Sequence, residues 1–248
     1  MKKFLVSILA GALVLSTAVL SSAKSVVNGI DPNYPPFAYI DEKTGEPAGF
    51  DVDSMNWIAK DMGFEVEHKP MAWDGIIPAL LANQIDMVCS GMSITPKRAE
   101  MVQFSDPYWE VNRVFIIPEG ENITVEEILQ KPLKVGVQRG TSEALALKEE
   151  KDQKGYPLEI VFYDSAPLAV EDLLNGRINA ALMDELPADD AIAKGRAVKK
   201  AGTHGVPDKF GVALRKDEKE LREKIDEGYR HLRNSPYWQE LQKKYLNK

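Results

Sequence analysis

Ser90-Gly-Met-Ser-Ile-Thr-Pro-Lys-Arg98 carries the strongest chemical signal in the chain. Thr95 is a helix-capping residue type and Pro96 suits the first helical position, so Arg98 falls in the first turn. A helix start offers free N–H groups and the positive end of the dipole. An arginine there adds a planar fork that matches a carboxylate with two parallel bonds. Ser90 and Ser93 add small hydroxyls, and Gly91 allows close approach. The segment reads either as a seat for a small carboxylate or as a capped helix whose Arg98 pairs with a surface acid. Spacing alone does not separate the two. Gly140-Thr-Ser142 is a second helix start after a strand, whose amides could touch the same anion. Asp184 ends an apolar strand, where a carboxylate is costly unless paired or solvated. It reads as the partner of a cation or as a helix cap, and Asp31 permits the same two readings. Tyr34, Phe37 and Trp73 stand beside loops or helix starts and could wall a pocket or pack in a core. Tyr34 and Trp73 are the better wall candidates, because polar or turn residues flank them.

Alternating strands and helices must position these groups. Val26–Ile30 reads as a strand running into Asp31 and a Pro-rich loop. Asp51 opens a helix through Met55, Ile58 and Met62, with Gly63 after it, and Phe64–His68 alternates as a strand. Asp74 is expected to cap a helix through Ile77, Leu80 and Leu81, and Ile85–Cys89 is the next strand. A second series follows: strand Leu133–Val137, a helix from Gly140-Thr-Ser142, strand Ile160–Phe162, a helix capped by Ser165, and strand Ile178–Met183. Two amphipathic helices close the chain, the second with Ser235 as cap and Pro236 at its first position. Leu80-Leu81 leading to Ile85-Asp86 is echoed, about 93 residues on, by Leu174 leading to Ile178-Asn179. The pattern favours two α/β lobes with mostly parallel sheets, and ligands then bind at the carboxyl ends of strands. Asp31, Ser90 and Asp184 sit at such ends.

Composition narrows the function. The 248 residues hold 31 basic and 38 acidic side chains, a net charge of −7, so there is no basic excess to neutralise phosphates and nucleic acid is not expected as a partner. The single cysteine excludes an intrachain disulfide. His68, His204 and His231 are scattered and share no metal spacing, so neither a metal nor a cofactor is expected. Cys89 lies in an apolar strand and reads as packing in preference to a nucleophile. Lys2-Lys3, the apolar Phe4–Leu15 and Ser21-Ser-Ala23 have the charged head, apolar centre and small-residue exit of a secretory leader over residues 1–23. An uncleaved anchor is the alternative, although the segment is short for a span. The mature chain is then expected to start near Lys24 and to lie in the periplasm. Removal of Lys2 and Lys3 leaves 29 basic against 38 acidic side chains, or −9.

Gly29–Phe37, Gly49–Asp53, Trp73–Leu80, Ser90–Arg98 and Phe104–Tyr108 occur in order, followed by Val135–Thr141 and the acid ending Leu182-Met-Asp184. Together they resemble the polar amino-acid substrate-binding proteins of ABC importers, bacterial solute-binding protein family 3. The resemblance implies the two-lobed α/β periplasmic-binding-protein fold of type II, with two hinge strands and one free amino acid enclosed. It implies that Arg98 grips the α-carboxylate with help from Ser93. Asp184 takes the α-ammonium, and Asp31, Tyr34, Trp73, Ser90, Gly91, Gln138 and Ser142 line the pocket. The chain departs from the family pattern at Leu129–Leu133, in the turn leading into the second lobe. It departs again at Glu143, where a neutral polar residue is common and an acid would bias the pocket towards cationic ligands.

Two lobes sharing one ligand close by differential affinity. Hinges are expected near Tyr108–Arg113 and His204–Gly211. One lobe would comprise 24–110 and 208–248, and the other 111–207. The expected partners are a free amino acid and a membrane permease, with the protein a monomer. Asp31 and Glu143 with Trp73 suit a cationic or amide side chain: arginine, lysine, histidine or glutamine. Arg139 is left open as a second binding arginine. The alternatives are a cyclohexadienyl-dehydratase-like enzyme using Glu143 or Glu185, and a periplasmic sensor subunit.

Overall fold

The computed structural model describes residues 25–246, and the expected leader and its cleavage point lie outside the described residues. Within them the chain builds two five-stranded sheets, a two-stranded ribbon between them and a small three-stranded sheet, flanked by helices. The first sheet runs Val66–Pro70, Val26–Ile30, Met87–Val88, Ala213–Leu214, Gln103–Phe104 in space. The second runs Glu159–Tyr163, Lys134–Gln138, Ala180–Asp184, Arg113–Pro118, Val198–Thr203. In each, one strand opposes both its neighbours, Ala213–Leu214 in the first and Arg113–Pro118 in the second. The remaining strands share one direction. The reversed strand is the one entered directly from the ribbon, whose halves Trp109–Val111 and Asp208–Phe210 pair antiparallel.

The two-residue period of a strand places its neighbours on opposite faces, and both faces are covered. Val114 and Ile116 pack with Ala169, Val170 and Leu173 on one face of the second sheet. Phe115 and Ile117 pack with Ala144 and Leu147 on the other. The first sheet is packed likewise, by Met55, Ile58, Ile225 and Leu232 on one side and by Ile76, Leu80 and Val102 on the other.

The echo in the sequence is a repeat in the structure. The Asp86 amide donates to the Val27 carbonyl at 2.8 Å while the Asp86 carboxylate accepts from the Val27 amide at 3.0 Å. Asn179 does the same with Lys134, at 2.8 and 2.9 Å. Two residues along each of these strands a glycine meets the preceding isoleucine. A Cβ on Gly29 would lie 2.4 Å from Ile85 Cδ1, and one on Gly136 would lie 2.6 Å from Ile178 Cδ1. Two residues further again are Asp31 and Gln138, so equivalent strand ends of the two lobes supply residues that face each other.

Some local expectations are corrected. Asp74 caps no helix: Trp73–Gly75 wind as a 3-10 turn and the α-helix Ile76–Leu81 follows, with Gly75 at its cap. Pro78 is then the third helical residue, where no intrahelical N–H bond is lost. Asp51 lies inside the helix Phe50–Asp61, whose cap is Gly49. The next strand starts at Val66 and not Phe64, because the Phe64 amide closes the preceding helix on Ala59 O beyond left-handed Gly63. Ser165 and Ser235 occupy cap positions without making a side-chain cap bond, whereas Thr95 caps the Pro96–Ala99 helix through the Arg98 amide as expected.

Candidate functional site

A cavity lies between the two sheets at the carboxyl ends of their strands. All ten residues singled out in the sequence line it: Asp31, Tyr34, Trp73, Ser90, Gly91, Ser93 and Arg98 from the first lobe, and Gln138, Ser142 and Asp184 from the second. Thr141 and Glu143 complete the lining. Thr141 caps the Ser142–Lys154 helix, where it accepts the Ala144 amide. Arg139 is outside the lining: it is half exposed, lies 3.9 Å from Asp164 and rests on the Phe162 ring.

Arg98 is buried and has no carboxylate within ion-pair distance among the described residues. Its Nη1 donates to the Ser93 carbonyl at 2.8 Å, and its Nη2 reaches across to the Gly140 carbonyl at 3.1 Å. The guanidinium sits 5.5 Å from the centre of the Trp73 ring. The surface-pair alternative for Arg98 is therefore overturned. Burial lowers its pKa, and the charges of Glu143, Asp208 and Asp184 act against that.

The acids are held differently. Asp31 ends the strand Val26–Ile30; its amide donates to Ser90 Oγ, and its carboxylate accepts the Asn33 amide at 2.9 Å and Gln138 Nε2 at 2.7 Å. Asp184 accepts the Tyr34 hydroxyl through Oδ2, while its buried Oδ1 has no partner among the described residues. Burial, then the nearby charge of Glu143, pushes its pKa well above the ordinary carboxylate value. Burial raises Asp31 as well, against the Gln138 bond.

Gly91 has φ +59° and packs under Tyr34, where a Cβ would lie 2.2 Å from Cε1. Its amide donates to Asp51 at 2.6 Å, and the Tyr108 hydroxyl donates to the same oxygen at 2.7 Å. Asp51 thus fixes a cavity wall from inside the first lobe, and burial raises its pKa to about 7. No sequence signal distinguished it from an ordinary first-turn acid.

Among the charged cavity-lining side chains there are one base and three acids: Arg98 against Asp31, Glu143 and Asp184. A ligand with one carboxylate and two positive groups complements that set. Cys89 is buried beneath the site, 3.3 Å from the Tyr229 hydroxyl, and burial raises its thiol pKa, as suits a packing residue. No helix among the described residues is long and apolar enough to cross a membrane.

The model for bacterial extracellular solute-binding proteins, family 3, matches residues 26–248. The lysine/arginine/ornithine-binding periplasmic protein of Escherichia coli (strain K12) is 34% identical, over 97% of this chain and 96% of its own. The L-arginine-binding protein of Pseudomonas aeruginosa is 32% identical, over 96% of this chain and 95% of its own. Among solved structures, an ancestral arginine-binding protein bound to arginine is similar with a TM-score of 0.82 at 32% identity, covering 89% of this chain and 97% of that one.

Proposed function

The chain belongs to the bacterial extracellular solute-binding proteins, family 3, and on that premise we propose that it captures a free amino acid with a cationic side chain between its lobes and delivers it to an ABC importer. It is a binding protein and not an enzyme. The relatives named above are binding proteins, which leaves the dehydratase alternative without support from them.

The observation that carries the ligand class is that, among the described residues, buried Arg98 has no anionic partner and Asp184, in the same cavity, has an unpartnered carboxylate oxygen. An α-carboxylate on Arg98 and an α-ammonium on Asp184 would satisfy both. Each charge-assisted bond contributes about 1.5–3 kcal/mol, enough for two or three to orient a small zwitterion. Asp31, with Trp73 and Tyr34 as walls, would receive the side-chain cation. A ligand of net charge +1 offsets part of the acidic excess of the cavity.

We assign one lobe to 24–110 and 208–248 and the other to 111–207. The ribbon Trp109–Val111 and Asp208–Phe210 is the hinge of this reading. Contacts made only when both lobes touch the ligand would favour the closed form. The proposal includes export to the periplasm through the leader, a permease that reads the closed lobes, and a monomeric protein.

Thermal unfolding of the mature protein with each of the twenty amino acids tests this. Stabilisation by arginine, lysine or histidine, lost in Arg98→Ala by at least about 100-fold in affinity, is expected for two bonds removed. No stabilisation by any amino acid would reject it.

A further inference from the structure

We propose that Glu143 is a second ammonium-binding carboxylate, which together with Asp184 holds the α-ammonium of the bound amino acid. This rests on the amino-acid reading above and reassigns an acid that the sequence tied to a preference for cationic ligands or, in the alternative, to dehydratase chemistry.

Glu143 is 5% exposed and lines the cavity. Its Oε2 lies 3.0 Å from Ser142 Oγ. That hydroxyl has one hydrogen and three oxygens within reach, the others being Ser93 Oγ at 3.0 Å and Asp208 Oδ2 at 2.8 Å. Asp208 is already gripped through both oxygens by Arg113. Among the described residues no basic side chain lies within ion-pair distance of Glu143. A buried carboxylate with a share in one hydroxyl hydrogen needs a cationic donor, and so does the unpartnered Oδ1 of Asp184.

The contacts also say which end of the ligand Glu143 meets. Ser142 touches the Ser93 hydroxyl, and the Ser93 carbonyl holds Arg98, so Glu143 belongs to the Arg98 end of the cavity. Its charge acts on both Arg98 and Asp184. Asp31 is held apart by Gln138, Asn33 and Ser90. One carbon separates an α-carboxylate from its α-ammonium, so an acid joined to the Arg98 end through Ser142 and Ser93 faces the α-groups and not the side chain. An ammonium has three hydrogens and can serve Asp184 Oδ1 and Glu143 together. The site would then demand a charged, unsubstituted α-amine and leave side-chain choice to Asp31, Trp73 and Tyr34.

The test is a calorimetric cycle of wild type and Glu143→Gln against L-arginine and its des-amino counterpart, 5-guanidinopentanoic acid. Glu143→Gln is expected to weaken L-arginine by about 10- to 100-fold and to leave the des-amino acid within about threefold. Equal loss for both ligands would assign Glu143 to the side chain or to general structure and overturn the proposal. No loss, or tighter arginine binding, would mean that Glu143 only offsets Arg98, and would also overturn it. Glu143→Asp keeps the charge one methylene short; an intermediate loss for L-arginine alone is expected, and this variant reads the same cycle if Glu143→Gln does not fold. Wild type that binds no cationic amino acid would reject the underlying reading instead.

Discussion

Arg98 and Asp184 are costly to bury, and in the proposed function a zwitterionic ligand relieves that cost. Burial and the charge of Glu143 favour the protonated form of Asp184, and burial favours that of Asp31. A bound cation favours the ionised forms, so binding releases protons at any pH where these acids are still protonated. Affinity for a cationic amino acid is therefore expected to rise with pH from the ordinary carboxylate range towards the raised pKa of Asp184, and then to level off. Calorimetry in buffers of different ionisation enthalpy would detect the released protons; constant affinity on acidification would contradict the assignment. Asp51 gives a stability test. Its pKa of about 7, against 3.8 when unfolded, means that the folded state retains a proton which the unfolded chain has lost between those values. Its contribution is thus present below about pH 4 and lost as pH rises through about 7, a change on the order of a few kcal/mol. Asp51→Asn keeps an acceptor for the Gly91 amide and Tyr108. Denaturant unfolding should show its stability relative to wild type improving from pH 4 to pH 8; an unchanged difference would argue against a buried charge. The cap at Thr95, the glycine at 91 and the acid at a strand end were legible because each has a local physical signature. Asp51 was not, because its partners Gly91 and Tyr108 are 40 and 57 residues away.

At the level of elements, the repeated turn from helix to strand sets where the cavity walls fall. The reciprocal bonds of Asp86 with Val27 and Asn179 with Lys134 fix register, and register fixes Asp31 and Gln138 opposite one another. Close contact of Gly29 with Ile85, and of Gly136 with Ile178, belongs to the same unit. Gly136→Ala places a methyl 2.6 Å from Ile178 Cδ1 and 3.2 Å from Ala169 Cβ, so side chains must shift. A loss of about 1–3 kcal/mol is expected in denaturant unfolding, with a similar loss for Gly29→Ala. Unchanged midpoints for both would mean that the strands tolerate the extra volume. The sequence carried this repeat as Leu80-Leu81…Ile85-Asp86 against Leu174…Ile178-Asn179. It did not reveal Asn33–Tyr34, Gln103–Phe104 or Ala213–Leu214, since two residues show no period and take their shape from their neighbours. The ribbon strands are only three residues each, and the Arg113–Asp208 pair that braces them joins residues 95 apart in the chain.

For the whole molecule, one cavity draws ligands for opposite charges from two lobes. Arg98 comes from the first and Asp184 from the second, so the zwitterion of the proposal would bridge them, and neither lobe alone would complete the site. The acidic surplus of the chain says little about this, because the determining positive charge is local and buried. The most direct measurement compares L-arginine with agmatine, which retains the guanidinium and an amine and lacks the carboxylate, by calorimetric titration of the mature wild-type protein. Saturable binding of L-arginine at micromolar or tighter affinity is predicted, with agmatine weaker by at least about 100-fold for the lost pair of charge-assisted bonds to Arg98. Agmatine binding as tightly as L-arginine, or no binding of arginine, lysine or histidine at all, would contradict the account.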